Sequence, residues 1–352
     1  MRRACRSTPM LHVRVDDQTP RILWSSRTTQ TRPNTRNWKR RISNRVPVVR
    51  ALRLRWALSM EDLLRKAAID LWTCSQRLEL LGSWCASSLG SEVVWPRGLT
   101  HLVLQTDSDL PRDKMWWPVR LHYLALRGSF NQPIDGVVWP PSLRELSFGR
   151  NFNQPIAGVV WPPSLLQLSF GWHFDQPIAG VVWPSSLQQL SFVYDFDQPI
   201  VGVVWPPSLR ELSFGRNFDQ PIAGVVWPSS LQHLSFGDDF NQPIVGVVWP
   251  SSLQKLSFGD DFNQPIAGVV WPSSLRQLSF GMNFNQPIAG VVWPTSLQQL
   301  SFELSFNHPI AGVAWPSSLQ QLSFGFRFNE PLAGVVWPTS LRSATRGGEN
   351  LL

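Results

Sequence analysis

The chain has 352 residues and a formal net charge of +8, with 19 Trp, 30 Pro, 3 Cys and 2 Tyr. Three cysteines without a CxxC pair or a His-rich spacing exclude a disulfide framework and a zinc site. Because the sequence has neither a run of 18 apolar residues nor a secretory signal, we expect an intracellular, most simply cytoplasmic, protein without membrane contact.

The N-terminal segment, residues 1–47, is rich in Arg, Ser and Thr. Residues 1–60 carry 15 Lys and Arg against only Asp16 and Asp17, so the remainder is net negative. We expect a disordered basic arm; an organelle transit peptide, implying import, and sequence upstream of the true translation start are the alternatives. Only this arm suits contact with nucleic-acid phosphates.

Residues 48–85 are predicted to form a short helical cap. Residues 48–72 read VVRALRLRWALSMEDLLRKAAIDLW, which is dominated by Leu, Ala, Arg and acidic residues. Ser59 followed by Glu61 and Asp62 is typical of a helix start. We therefore predict one or two amphipathic helices in this segment.

One phrase of 22 residues fills the rest of the chain, for example FNQPIAGVVWPSSLRQLSFG at residues 262–281. Two degenerate copies are marked upstream by Trp95 and Trp117, each followed by Pro. We expect about twelve turns over residues 86–352, with degenerate turns at 86–129, clean repeats at 130–341 and a polar end at 342–352. The opening Phe recurs at residues 130, 152, 174, 196, 218, 240, 262, 284, 306 and 328.

Each repeat contains the pattern L-x-x-L-x-F, as in Leu143, Leu146 and Phe148. A period between 20 and 29 residues with this pattern predicts a leucine-rich-repeat-like solenoid. The segment L-S-F is predicted to be a short strand with Leu and Phe inward, so the fold is mostly β with parallel strands on a concave face. The Trp column is predicted to fill the core, and Gly136 and its equivalents to have positive φ.

Position 9, counted from the first Leu of the pattern, predicts a structural ladder. Most of its residues can accept a hydrogen bond from a backbone N–H, as buried turn residues must. The predicted ladder consists of Asn151, Asp195, Asn217, Asp239, Asp261 and Asn283.

The phrase FNQPI followed by W-P-x-S-L-x-x-L-x-F-G resembles the FNIP repeat, a relative of the leucine-rich repeat. The resemblance implies protein binding without a catalytic motif, although the fixed G-V-V-W departs from the more variable family pattern. Some members carry an F-box before the repeats, and residues 57–72 have similar hydrophobic spacing. An adaptor that delivers proteins to a ubiquitin ligase through residues 48–81 is therefore one alternative function.

Position 8 varies most between turns, so it is the candidate binding stripe along the concave edge. Exposed Trp, Tyr, Arg and Met often anchor interfaces. We predict a non-catalytic scaffold that binds a protein; drift at an unconstrained position and binding of carbohydrate or nucleic acid by Trp172 and Tyr194 are the alternatives. The stripe consists of Arg150, Trp172, Tyr194, Arg216, Asp238, Asp260, Met282, Leu304 and Phe326.

The sequence predicts neither an enzyme nor a cofactor. Its six His residues do not cluster with a nucleophile, and it has no Gly-rich phosphate loop. The acidic pairs at 238–239 and 260–261 are spaced more widely than the ligands of a calcium loop, so we expect no metal. We expect a monomer whose protein partner the sequence does not identify.

Overall fold

A computed structural model describes residues 11–16, 19–24, 51–56, 77–82, 95, 98–106 and 117–352. These residues form seventeen β-strands. No helix occurs among them, and hence none that is long and apolar enough to cross a membrane. They fall into two compact units, one comprising the described residues up to 132 with 137–151, and the other 133–136 with 152–352.

The first unit contains seven strands. Strands β1 and β2 are antiparallel, β1 also pairs in parallel with β3, and β3 to β7 pair in parallel in chain order. The register aligns Leu102, Leu124 and Leu146, all buried. The strands are β1 (Leu11–Asp16), β2 (Thr19–Trp24), β3 (Ala51–Trp56), β4 (Arg77–Gly82), β5 (His101–Thr106), β6 (Tyr123–Gly128) and β7 (Glu145–Phe148).

The predicted helical cap at 48–85 is wrong where this segment is described. Strands β3 and β4 lie in it, and Leu52 and Leu54 pair with Leu78 and Leu80. The reason is visible in ALRLRW, where apolar residues alternate with arginine at the period of a strand rather than of a helix. The F-box-like residues 57–72 lie outside the described residues.

The basic arm also differs from expectation at the residues described. Strands β1 and β2 form an antiparallel pair within residues 1–47, which we expected to be disordered. The segment LHVRVD alternates apolar and polar residues, and this is the pattern of a strand with one buried face. The other residues of 1–47 lie outside the part of the chain that the structure describes.

The second unit confirms the predicted repeat solenoid. Strands β8 to β16 are all parallel and pair in chain order, and β16 turns back to pair with β17. Equivalent residues face each other, as in Leu212 with Leu234. The strands are β8 (Gln167–Phe170), β9 (Gln189–Phe192), β10 (Glu211–Ser213), β11 (His233–Ser235), β12 (Lys255–Ser257), β13 (Gln277–Phe280), β14 (Gln299–Phe302), β15 (Gln321–Phe324), β16 (Ser343–Arg346) and β17 (Glu349–Asn350).

The core of the second unit consists of columns of identical side chains. The rings of Phe236 and Phe240 lie 4.1 Å apart within one turn, and Phe240 lies 6.0 Å from Phe262 of the next. Trp205 stacks on Trp227 at 6.3 Å, and both are buried. The Trp and Phe columns are therefore core packing, as predicted, and stacked rings add to the free energy that area burial provides.

The chain returns to the next strand through P-x-x-G-V-V-W-P. Gly224 and its equivalents have φ between 76° and 84°, which confirms the predicted left-handed glycine column. The first Val of the pair is buried, whereas the second is 80–82% exposed in seven successive turns. We call this set the valine row: Val160, Val182, Val204, Val226, Val248, Val270 and Val292.

The Ser before the first Leu of the pattern links most turns to the preceding turn. Its hydroxyl donates to the carbonyl of the corresponding Leu in the preceding turn, as in Ser230 Oγ to Leu209 O at 2.7 Å. The same bond joins Ser252 to Leu231 and Ser274 to Leu253. The carbonyl of the buried Leu thereby gains a hydrogen-bond donor outside the strand.

Candidate binding surface

The position-8 residues of the second unit form one row at the turn that follows each strand. The N–H of position 9 donates to the position-8 carbonyl of the preceding turn, for example Asn217 N to Tyr194 O at 2.9 Å. The same bond joins Asp239 N to Arg216 O and Asp261 N to Asp238 O. Because the bond recurs, the row is held in register, and none of its side chains is buried. Arg150 is also exposed and belongs to the first unit.

An aromatic and cationic cluster begins the row. The rings of Trp172 and Tyr194 stack at 5.3 Å with planes 9° apart, and Trp172 is 44% exposed. The guanidinium carbon of Arg216 lies 5.5 Å from the Tyr194 ring centre, within the range of a cation–π contact. Arg216 Nη1 also donates to the Tyr194 hydroxyl at 3.3 Å. The three side chains therefore hold one another in place.

Acidic residues follow this cluster. Arg216 Nε lies 3.5 Å from an oxygen of Asp238 and 3.9 Å from one of Asp239. Tyr194, followed by Asp238 and Asp239, raises the pKa of Arg216. Partial burial raises the pKa of Asp239, against the opposing effect of Arg216 and with Asp261 adding to the rise. These pairs are solvent-exposed, so each contributes little to stability.

The described residues offer no site for a metal ion in this acidic part. Within them, no group of three or more His, Cys, Asp and Glu side chains is arranged to hold one. Burial, and then Asp260, raises the pKa of Glu303, which is at position 7 two turns beyond Asp260. The acidic part of the row therefore presents separate carboxylates to solvent.

Apolar residues end the row. Met282 is 45% exposed and Leu304 is half-buried, while Phe326 is 79% exposed. A side chain at Gly347 would collide with the Phe326 ring, so the terminal turn lies against it. The row thus passes from aromatic and cationic, through acidic, to apolar.

The predicted position-9 ladder is not buried. Asn151, Asp195, Asn217 and Asp239 are half-buried, and Asp261 and Asn283 are exposed. Their side chains bond to one another instead, as in Asn283 Nδ2 to Asp261 Oδ1 at 2.7 Å and His173 Nδ1 to Asp195 Oδ2 at 2.8 Å.

The ladder that accepts backbone N–H groups lies at the residue after the opening Phe. The side-chain oxygen Oδ1 of Asn241 accepts from Asn263 N at 2.9 Å and from Gln264 Nε2 at 3.0 Å. Asp175 accepts in the same way from the turn that follows it. This column holds Asn or Asp in every clean repeat, and that invariance was the sequence signal that would have found it.

The outward face of the strands carries a shallow depression of about 320 Å³. It is lined by Gln189, Glu211, His233, Lys255 and the serines between the buried columns. Ser213 and Ser235 share a hydrogen bond of 2.8 Å, and His233 Nδ1 lies 3.7 Å from Glu211. The Gln, Glu, His and Lys side chains of this lining all occupy position 3 of the repeat, two residues after the first Leu of the pattern, and the spacing alone does not show that they enclose a depression.

Comparison with known families decides what these repeats are. Seven overlapping matches to the FNIP Repeat tile residues 130–305 in steps of 22 residues. The chain belongs to the FNIP-repeat family. No curated protein matches it.

Two solved structures extend this comparison to the fold. The FNIP-repeat chain is similar to CroV588, described as a novel circular LRR protein, with 37% identity and a TM-score of 0.67 over 84% of this chain and 46% of that one. It also shares the fold of the Drosophila Toll–Spatzle complex, with 13% identity and a TM-score of 0.52 over 84% of this chain and 39% of that one. This chain thus spans less than half the length of either. Its fold is a leucine-rich-repeat-like solenoid, a common scaffold for protein interaction.

Proposed function

We propose that this FNIP-repeat chain is a non-catalytic scaffold that binds another protein through the position-8 row of its second unit. The observation that carries the proposal is the solvent-accessible stack of Trp172 on Tyr194, with the guanidinium of Arg216 over the Tyr194 ring. Trp, Tyr and Arg are the residues most often found at the energetic centre of interfaces. The core columns are almost invariant between turns, whereas the residues of this row both vary and are accessible to solvent.

The order of the row supports a protein rather than a uniform polymer as its partner. A partner would meet aromatic and cationic groups first, then carboxylates at Asp238 and Asp260, and then the apolar Met282 and Phe326. A polymer with one repeating unit would favour the same residue in every turn. A folded protein surface can match three chemically different parts in sequence.

The test is affinity capture from a lysate of the native cells with the full chain as bait. The variant is W172S/Y194S, which removes both stacked rings. We expect at least one protein held by the wild type to lose about 2 kcal/mol or more of binding free energy, as truncation of interface aromatics typically costs.

The control is V336S, which changes an exposed valine on the return path. It should retain the same protein, and both variants should melt within a few degrees of the wild type by circular dichroism. Equal capture by W172S/Y194S and wild type would contradict a role for the row. Loss of capture by V336S as well would show that any surface change disturbs binding.

A further inference from the structure

The return path of the second unit is an uncharged face. Between Gln154 and Gln298, every residue from the Gln before Pro to the Leu of the next pattern is uncharged in seven successive turns. Charge enters the equivalent segment outside these turns, at Asp135 before them and at Glu330 after them, and His308 in the turn that directly follows them is titratable. The charged residues of these turns lie instead on the strands and in the turns that follow them.

This face is also exposed and apolar. The valine row is 80–82% exposed, and Val201 and Val245 are 53% and 52% exposed. The first Pro of each turn, such as Pro221, is exposed beside them. Burial of one exposed valine side chain removes roughly 60–120 Å² of apolar surface from water. With the neighbouring Ala and Pro, seven turns offer on the order of 800 Å², which is about what each partner contributes to a stable interface of standard size.

The residue two positions before the first Val of the pair shows a pattern that is symmetric about its middle turn. Along residues 157, 179, 201, 223, 245, 267 and 289 the sequence reads Ala, Ala, Val, Ala, Val, Ala, Ala. The order is the same from either end, with Ala223 at the centre. Val226 of the same turn is also the central member of the valine row.

We propose that this face is the interface of an antiparallel homodimer with its two-fold axis at Val226. In that arrangement Val226 of each copy meets its own equivalent, Val204 meets Val248 of the other copy, and Val160 meets Val292. Val201 then faces the turn that carries Val245 in the partner copy, so the two larger side chains come together on both sides of the axis. The proposal departs from the monomer expected from sequence and does not depend on the proposed partner of the position-8 row.

A second copy fits better than other occupants of an apolar face. Only a surface with the same 22-residue period can match this face turn by turn. A second copy of the chain has such a surface, and in a two-fold dimer the same face of each copy would form the contact. A lipid surface is favoured by exposed Trp, Lys or Arg beside the apolar residues. Here the Trp column is buried, and the seven turns lack Lys and Arg on this path.

The first test measures the mass of the full chain by light scattering and sedimentation velocity. The wild type should have twice the 40.0 kDa of one chain. V226K places two like charges at the axis and should raise the dimer dissociation constant by about a hundredfold or more. V336K is the matched control, because Val336 has the same place in its turn and the same 80% exposure but lies outside the seven turns.

The second test establishes the orientation of the copies. V160D/V292K puts opposite charges together in the antiparallel dimer, whereas V160K/V292K puts like charges together. We expect the first variant to remain dimeric and the second to dissociate. In a parallel arrangement residue 160 would meet residue 160, so both variants would dissociate equally.

Several outcomes would overturn the proposal. A wild type that stays monomeric at every concentration, or open-ended assemblies, would exclude the two-fold dimer. Dissociation of V336K to the same extent as V226K would remove the assignment to these seven turns. Binding of a monomeric wild type to neutral phosphatidylcholine vesicles, lost in V226K, would assign the face to lipid instead.

Discussion

At the scale of single residues, Asn241 shows how one side-chain oxygen fixes the distance between turns. Its Oδ1 accepts a backbone N–H and a glutamine amide from the following turn. Asp197 does the same for Asp219 N and Gln220 Nε2. Asn and Asp serve equally because only the oxygen is used, which explains why both occur in this column.

Asn241→Ala should therefore destabilise the protein more than Asn283→Ala. The first leaves a partly buried N–H without its acceptor, at a cost of about 1–3 kcal/mol. The second removes one exposed bond and should cost about 0.5 kcal/mol or less. The measurement is the shift in the urea unfolding midpoint of each variant. Equal shifts would contradict the assignment of the ladder to the residue after Phe.

At the scale of the structural element, position 7 after each strand lies against the backbone of the preceding turn. A Cβ at Gly237 would overlap the carbonyl of Gly215, and one at Gly259 would overlap that of Gly237. Close approach, and not a positive φ, therefore requires glycine here. Where the column holds Val193 and Glu303, both side chains are exposed, so the backbone at these turns already admits a Cβ.

Gly237→Ala should lower the free energy of unfolding by about 1–3 kcal/mol, because the overlap is with backbone that cannot rotate away. Glu303→Ala is the matched control in the same column. It keeps a Cβ that the structure already accommodates and removes only solvent-exposed atoms, so its effect on stability should be within about 0.5 kcal/mol. Thermal unfolding followed at the far-UV signal separates the two. A Gly237→Ala protein as stable as the control would refute the steric argument.

At the scale of the whole second unit, the turns are interchangeable parts. Each strand pairs only with the strands before and after it in the chain, and equivalent residues align throughout. In such arrays stability is close to a sum of turn and neighbour contributions. A single turn is therefore a removable unit.

Deletion of residues 241–262 should leave a folded protein. The deletion joins Phe240 to Asn263 and restores the phrase FNQP without a break. Deletion of residues 241–251 removes half a turn and should abolish folding, because every later side chain moves off its column. Far-UV circular dichroism and proteolysis distinguish these outcomes. Unfolding caused by the full-turn deletion would show that turns are not independent.

The period explains how much could be predicted from the sequence. Strands, buried columns and the stacking of Trp172 on Tyr194 all follow once residues 22 apart are neighbours. The ladder was misplaced because Asn and Asp occur both at position 9 and after the opening Phe, and spacing alone does not show which oxygen reaches a backbone N–H. A helical cap was predicted over 48–85 because Leu and Arg favour helices, whereas the structure has strands at 51–56 and 77–82 that pair with each other.

Near-identity of the turns also affects the route by which this chain folds. A strand that docks one turn out of frame still buries Leu beside Leu and Phe beside Phe, so the mispaired state is only slightly less favourable. The energy difference between the correct pairing and a frame-shifted pairing is therefore small at each step, whereas most chains have a large gap between the native state and its competitors. Refolding should produce frame-shifted species with a looped-out turn, which convert slowly because the wrong pairs must first separate. The residues at position 8 differ from turn to turn, so they distinguish the correct frame from a shifted one.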